Sequence, residues 1–147
     1  MSIAKLPLSG KTCLRCGRWI LDKGIDLAIL METWLCNPSS PCLDLLVPPD
    51  YHILRMDRKN RIGRGLACIH RSNITVKHLQ RNFLTSSEYL GLDIQMEDRT
   101  QIRIHSFYHP PGSNATFIEQ LMEMITTHSP IHNNEIFLGH FNVHWNN

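Results

Sequence analysis

The segment "EIFLGHFNVHW", residues 135–145, contains the pattern that decides the fold class. Its apolar run "IFL" predicts a short buried strand, and Gly139 predicts a sharp turn where that strand ends. Open α/β sheets bind their ligands at the carboxyl ends of strands. The position of Asn142 therefore indicates a turn that contacts a phosphate or a metal, whereas His140 fits that role only in part.

The rest of the chain predicts alternating helices and strands. Helices are predicted at 12–23, which Gly24 would end, and at 115–127; strands are predicted at 26–31, 51–55 and 65–70, in "ITVKH", "EYLGLDI" and "QIRIHSFY", and at 135–138. The Pro- and Cys-containing segment before residue 51 predicts a loop. We therefore expect a single domain, residues 1–147, of the α/β or α+β class.

Composition restricts the class of protein. The chain has 147 residues, of which 42% are hydrophobic and 19% charged, so one domain with one core is expected. No apolar run is long enough to cross a bilayer, and residues 1–11 lack the features of a signal peptide, which predicts an intracellular location. A net charge of +2 argues against a strongly basic nucleic-acid carrier.

Basic residues are nevertheless concentrated in one segment, residues 55–71, which holds six of the 15 Lys and Arg residues against the single acid Asp57. The six are Arg55, Arg58, Lys59, Arg61, Arg64 and Arg71. Two interpretations stay open: a solvated hairpin turn, and a loop that contacts phosphates.

Five cysteines raise the possibility of a zinc module, since Cys13 and Cys16 have the CxxC spacing. A second pair is missing, because Cys36 and Cys42 are too far apart to complete the usual pattern. On a helix, Cys13, Cys16 and Ile20 would form one apolar row, so we expect buried core thiols.

An acid, a phenol and an amide each stand at the end of a predicted strand. Glu32 follows "DLAILM", Tyr108 ends "QIRIHSFY" and Asn142 follows "EIFL", so we expect the three to meet at one sheet edge. Such a set suits phosphodiester cleavage, since Glu32 could hold Mg²⁺ while the other groups stabilise charge on the phosphate. A base that activates water is still required, and a carboxylate at position 140 would supply it.

Four blocks, "DLAILMETWL", "YHILRMDRKNRIGRGLACIHRSNITV", "FYHPPGS" and "IFLGHFNVHW", follow one another in this order. Together they resemble the endonuclease/exonuclease/phosphatase superfamily, particularly the N-terminal part of the apurinic-like endonuclease domain of non-LTR (LINE) retrotransposons. The resemblance runs from about Ser9 to the C-terminus. It implies a partial four-layer α/β sandwich, truncated in its second half.

The resemblance also implies roles for individual residues. Glu32 would be the ligand of Mg²⁺ or Mn²⁺, Tyr108 the phenol near the scissile phosphate and Asn142 the amide that contacts it. DNA would be the substrate, and a nuclear location is expected. The expected nucleic-acid-binding residues are Arg58, Lys59, Arg61, Arg64 and His109. The alternative is a non-catalytic nucleic-acid-binding remnant that uses the basic segment 55–71.

Several positions depart from the family pattern. His140 stands where the family has the aspartate that orients water, and His109 replaces an arginine, with loss of a forked phosphate donor. Ala4 lies near the place of an expected asparagine. The chain also lacks the family's C-terminal part, which would supply the acid/base histidine and most of the second sheet. These departures predict an inactive or very weak metal-dependent endonuclease.

Two consequences follow from this interpretation. Uncovered sheet faces would favour association with another chain. A softer metal such as Zn²⁺ or Mn²⁺ could collect where four histidines are expected near one sheet edge. These are His105, His109, His140 and His144.

Overall fold

The structure, a computed structural model, describes residues 1–7, 13–33, 35, 41–56, 65–79, 87–111, 115–128 and 134–142. Its elements in chain order are β1 (Ile3–Pro7), α1 (Cys13–Asp22), β2 (Leu27–Met31), α2 (Pro41–Leu46), β3 (Tyr51–Met56), β4 (Leu66–Arg71), β5 (Thr75–Leu79), β6 (Glu88–Gln95), β7 (Gln101–Tyr108), α3 (Ala115–His128) and β8 (Glu135–His140). The chain divides into two compact units, Met1–Thr75 and Val76–Asn147, which carry one four-stranded sheet each.

The sheet of the first unit has the strand order β1-β2-β4-β3. β1 and β2 are parallel and α1 connects them, whereas β4 runs antiparallel to both of its neighbours. All five residues of β2 are buried and apolar, which is typical of a strand covered on both faces. Cys16 and Ile20 of α1 pack into the core beside Leu30 and Ile69.

The two thiols whose surroundings are described, Cys16 and Cys68, are buried and form no disulfide. Burial raises the pKa of the Cys68 thiol to about 12, so it stays protonated. The expectation of core thiols is confirmed for these two residues. The side chains of Cys13 and Cys42, and all of Cys36, lie outside the described part of the chain.

The sheet of the second unit has the order β5-β6-β7-β8, with β6 and β7 antiparallel and β7 and β8 parallel. α3 connects the parallel pair and packs on the sheet with one face, where Phe117 and Met124 are buried. Ile118 and Met122 of the same helix are exposed. No helix in the described ranges is both long and apolar enough to cross a membrane.

Two sequence predictions about the architecture are wrong. Residues 41–46 form the short helix α2 rather than a loop; Pro41 suits a first helical turn, and Leu46 is fully buried. A Cβ at Gly17 would lie 2.7 Å from the Leu45 carbonyl oxygen, so only glycine lets α1 and α2 approach this closely. The second sheet, expected to be mostly missing, is present with four strands, because β5 to β8 pair with one another.

A network around Asp26 ties the N-terminus to the first sheet. Its carboxylate accepts hydrogen bonds from the Ser2 backbone N–H at 2.7 Å and from Arg71 Nε at 2.8 Å. Burial raises the pKa of Asp26, but the hydrogen bonds from Ser2 and Arg71 outweigh it and lower the pKa below the usual 3.8. The charged carboxylate therefore stabilises the folded chain.

Replacing Asp26 with Asn should lower the free energy of unfolding at about pH 7 by about 1–2 kcal/mol, the side chain being partly exposed. Because its folded pKa is lowered, the contribution of Asp26 is present above the unfolded pKa and is lost as the pH falls through the folded pKa. Urea unfolding at about pH 7 and about pH 3 measures this effect. Between the two pH values, the free energy of unfolding should fall less for Asp26→Asn than for wild type.

Asp22→Asn removes the same charge at an exposed position of α1 and is the matched control. It should change the free energy of unfolding by less than about 0.5 kcal/mol. Equal effects of the two substitutions would contradict a structural role of the Asp26 network.

Candidate functional site

The paired ends of β7 and β8 bring predicted site residues together in the second unit. Tyr108 and His140 are the last register partners of this parallel pair. The His109 N–H donates to the His140 carbonyl oxygen at 2.9 Å, and Asn142 Nδ2 donates to the His109 carbonyl oxygen at 2.7 Å. The strand ends are therefore joined by one backbone bond and one side-chain bond, which fix where Asn142 stands.

The aromatic rings of Tyr108 and His140 meet edge-on, with centroids 5.8 Å apart and planes at 86°. Tyr108 is only 2% exposed, whereas His140 is exposed. The imidazole that replaces the expected carboxylate thus faces solvent beside a buried phenol ring. Neutral imidazole can accept a proton from water, but it is a poor ligand for Mg²⁺.

Gly139 does not form the turn that the sequence predicted. β8 continues through it to His140, and Asn142, two residues further on, has a positive φ of +44°. A Cβ at Gly139 would lie 2.6 Å from the ring of Phe141, so the glycine makes room for that ring. Asparagine tolerates the left-handed region better than most residues do, which is consistent with the positive φ of Asn142.

His109 is a buried packing residue, 1% exposed. Its Nδ1 lies 2.5 Å from Ser87 Oγ, and its ring stacks on Phe117 with centroids 4.0 Å apart. Burial lowers the pKa of His109, so the neutral ring is favoured. Its predicted contact with DNA stays a prediction; in this conformation the ring reaches no solvent and carries none of the arginine's charge.

Glu32 follows β2 in the first unit with φ of +55°. Four non-glycine residues in the described ranges have positive φ, and two of them, Glu32 and Asn142, are predicted site residues. The left-handed conformation costs a residue such as glutamate about 1 kcal/mol. Backbone strain of this kind persists where surrounding contacts enforce it and is concentrated at functional sites.

The contacts that enforce the turn at Glu32 come from β3 and from the residue before β4. Thr33 N–H donates to the Gly65 carbonyl oxygen at 3.2 Å, and a Cβ at Gly65 would lie 2.9 Å from Thr33 Oγ1. Arg55 Nη2 donates to the Leu35 carbonyl oxygen at 2.8 Å. Gly65 falls inside the predicted strand 65–70, which gives it no role, whereas in the structure it precedes β4.

The expectation that the acid, phenol and amide share one sheet edge is wrong. Glu32 follows β2 in the first sheet, whereas Tyr108 and Asn142 belong to the ends of β7 and β8 in the second. β2 is flanked by β1 and β4, and β7 by β6 and β8, so each strand's pairing is completed within its own sheet.

The described residues contain no group of three His, Cys, Asp or Glu side chains able to hold a metal ion. His105 is a core residue: Tyr89 OH lies 2.9 Å from its Nδ1, and its ring stacks on Phe137 at 4.7 Å. The structure thus gives no support to the four-histidine metal site, and His144 lies outside the described residues. Proteins often bind Mg²⁺ through one or two carboxylates plus substrate phosphates, so the metal role predicted for Glu32 stays a prediction.

The basic segment is described only at its ends. Arg58, Lys59, Arg61 and Arg64 lie outside the described residues. Arg71 pairs with Asp26 at 2.8 Å and Arg55 binds a backbone carbonyl, so both have structural roles. Any contact of this segment with phosphates would therefore rest on the four central residues.

No protein-family model and no curated protein matches this sequence. Among solved structures, the chain is similar to the endonuclease domain of TRAS1, a telomere-specific non-LTR retrotransposon, with a TM-score of 0.70 and 12% identity over 95% of this chain and 59% of that chain. It is also similar to an endonuclease/exonuclease/phosphatase family protein from Bacteroides thetaiotaomicron (TM-score 0.68, 12% identity, 97% and 61% coverage). A third similar structure is the 3′ phosphatase NExo from Neisseria, bound to product DNA hairpin (TM-score 0.63, 16% identity, 96% and 56% coverage).

These similarities confirm the fold that the sequence blocks implied. The chain has the α/β fold of the endonuclease/exonuclease/phosphatase proteins, and it spans less than two thirds of the length of these three structures. Of the three, one is an endonuclease domain and one a 3′ phosphatase; at 12–16% identity the similarity of this chain to them concerns the fold.

Replacing Gly139 with Ala should lower the free energy of unfolding by about 1–3 kcal/mol, because the new methyl group would displace the Phe141 ring from its packed position. In a Phe141→Leu background the same substitution should cost less than half as much, since the ring that it would displace is gone. Urea unfolding of the four proteins in this cycle measures the coupling. Equal costs in both backgrounds would refute the steric role of Gly139.

His109 should make the stability of the folded chain depend on pH. Because its pKa is lowered in the folded state, the unfolded state binds more protons as the pH falls below the ordinary 6.5, and stability is lost there by up to about 1.4 kcal/mol per pH unit. His109→Phe keeps an aromatic ring against Phe117 and should flatten this part of the pH profile. Identical slopes for wild type and variant, measured by urea unfolding, would contradict the prediction.

Proposed function

We propose that the chain is a nucleic-acid phosphodiesterase domain of endonuclease type, derived from a non-LTR retrotransposon, whose hydrolytic activity is strongly reduced. The observation that carries the proposal is the joined end of β7 and β8, where Tyr108, His140 and Asn142 come together. The similarity to the TRAS1 endonuclease domain supports the proposed origin. A domain of this kind would act on DNA in the nucleus.

Asn142 is the proposed contact to the substrate phosphate. Its amide nitrogen carries two N–H groups, and one of them donates to the His109 carbonyl oxygen, which orients the side chain. The second N–H would donate to a phosphate oxygen and stabilise charge that develops during hydrolysis. Tyr108 would contribute its phenol to the same phosphate, once its hydroxyl group is reached by substrate.

Glu32 is the proposed ligand of a divalent cation, Mg²⁺ or Mn²⁺. Its carboxylate oxygens are the hard donors that these ions prefer, and the strained turn holds them at the end of β2. An ion held there would supply positive charge to a phosphodiester substrate. The residue's own task is to keep a negative charge at a fixed place, which an amide of the same shape cannot do.

His140 limits the proposed reaction. Hydrolysis requires a water molecule that attacks phosphorus and loses a proton while one P–O ester bond breaks. A positioned acid or base typically contributes about 10²- to 10⁴-fold to the rate. An exposed imidazole can take the proton, but it lacks the negative charge with which a carboxylate would orient that water, so the rate would be low.

The second candidate, a non-catalytic nucleic-acid-binding remnant, relies on the basic segment 55–71. It predicts salt-sensitive DNA binding that survives Glu32→Ala but weakens when Arg58, Lys59 and Arg61 are neutralised. Arg55 and Arg71 already bind Leu35 and Asp26, so two of the six basic residues of this segment have structural roles. For this reason we prefer the strand-end site.

Restoring a carboxylate with His140→Asp should raise Mg²⁺-dependent nicking of supercoiled plasmid about 100-fold or more. His140→Asn is the matched control, because asparagine has nearly the same size as aspartate but no charge. Its nicking rate should stay at the wild-type level. Adding Glu32→Gln to the His140→Asp variant should abolish the gain.

Circular dichroism and ¹⁵N amide spectra establish that each variant is folded, and Mn²⁺ should broaden amide signals near Glu32 selectively. If the folded His140→Asp variant shows no Mg²⁺-dependent nicking activity, the endonuclease proposal is wrong. If that variant still bound DNA, and lost binding when Arg58, Lys59 and Arg61 were neutralised, the non-catalytic alternative would replace it.

A further inference from the structure

An exposed row of side chains on α1 has no role in the strand-end chemistry. Arg15, Trp19 and Lys23 are spaced four residues apart, so they lie one above another along the helix. Lys23 still belongs to this row, because its N–H donates to the Trp19 carbonyl oxygen at 3.0 Å and so continues the last turn. The result is a cation, an indole and a second cation in line.

The neighbouring face of α1 packs into the core of the first unit. Cys16 and Ile20 pack against the first sheet and are buried, whereas Arg15 and Lys23 are exposed and Trp19 is 37% exposed. Trp19 presents an aromatic ring with a polar N–H between two cations, and tryptophan is enriched at contact surfaces because it combines these two features.

The charge of this row is positive. Residues 13–23 contain three basic residues and one acid, Asp22, which stands four residues after Arg18, where it can offset that charge. The row of Arg15, Trp19 and Lys23 itself contains no acid. Its electrostatic complement is therefore an anion.

We propose that this row, which we call the α1 row (Arg15, Trp19 and Lys23), is a binding surface for single-stranded nucleic acid. The indole would stack on a base, and the two cations would contact phosphates on either side. With a rise of 1.5 Å per residue, the cations stand about 12 Å apart along the helix, with the indole midway. Basic side chains around an aromatic platform are the arrangement by which proteins bind single strands without sequence preference.

Other anionic partners fit the row less well. A membrane surface would require an apolar helix face that enters the bilayer, and the apolar face of α1 is buried in the core. An acidic polypeptide would engage the two cations but leaves the indole without a stacking partner. A base supplies that partner, which is why the exposed tryptophan favours nucleic acid.

The test is fluorescence anisotropy with a labelled oligothymidylate and the full chain, in EDTA, so that it is independent of any metal-dependent chemistry at Glu32. Trp19→Ala should weaken binding about 10-fold or more, and Trp19→Tyr should retain most of the affinity. The double variant Arg15→Gln/Lys23→Gln should reduce the slope of log affinity against log salt by about 1.4, the value for two phosphate contacts on a single strand.

Matched controls outside the row are Leu45→Ala, at an exposed apolar position of α2, and Lys77→Gln, at an exposed position of β5; both should bind as wild type does. An abasic phosphodiester chain of equal length should bind wild type no better than oligothymidylate binds Trp19→Ala.

Undiminished binding by Trp19→Ala would overturn the proposal, as would equal binding of the abasic chain by wild type. Equally strong competition by polyglutamate would also overturn it and would assign the row to acidic polypeptides. If Trp19→Ala fails to fold, the abasic comparison with wild type decides the question alone.

Discussion

The parallel pairing of β7 and β8 is the constraint on which the candidate site depends. It sets Tyr108 opposite His140, and the bonds that follow it, from the His109 N–H and from the Asn142 amide, fix the turn beyond the strands. Parallel strands require a crossover connection, which α3 supplies. Since Phe117 of α3 stacks on His109, the helix that makes the pairing possible also braces its end.

The first unit repeats this arrangement with different side chains. β1 and β2 are parallel and α1 connects them, and Glu32 follows β2 as Asn142 follows β8. Both residues adopt positive φ, at a cost that neighbouring contacts must offset. Near Glu32, Thr33 packs against Gly65, and near Asn142 the Phe141 ring packs over Gly139. In each unit a glycine makes space for the side chain next to the residue with positive φ.

Sequence alone predicts the elements whose pattern is local. The unbroken apolar run of β2 and the apolar spacing of α3 each identify an element without reference to the rest of the chain. α2 was missed because six residues carry little periodicity and its stability comes from close contact with Gly17. The role of Gly139 was mistaken for a turn, because the ring that requires it, that of Phe141, is a packing feature that no spacing reveals.

The two histidines that depart from the family pattern have opposite physical consequences. His109 has become part of the core: it is neutral, stacked and bonded to Ser87, and an arginine in its place would bury a charge unless its neighbours moved. His140 is exposed, and its side chain contributes little beyond an edge contact with Tyr108. A substitution at position 140 should therefore change the folding stability very little. A substitution at position 109 would instead disturb the packing against Phe117. Because His140 is exposed while Tyr108 and His109 are buried, a substitution at position 140 can alter the proposed chemistry while the fold persists.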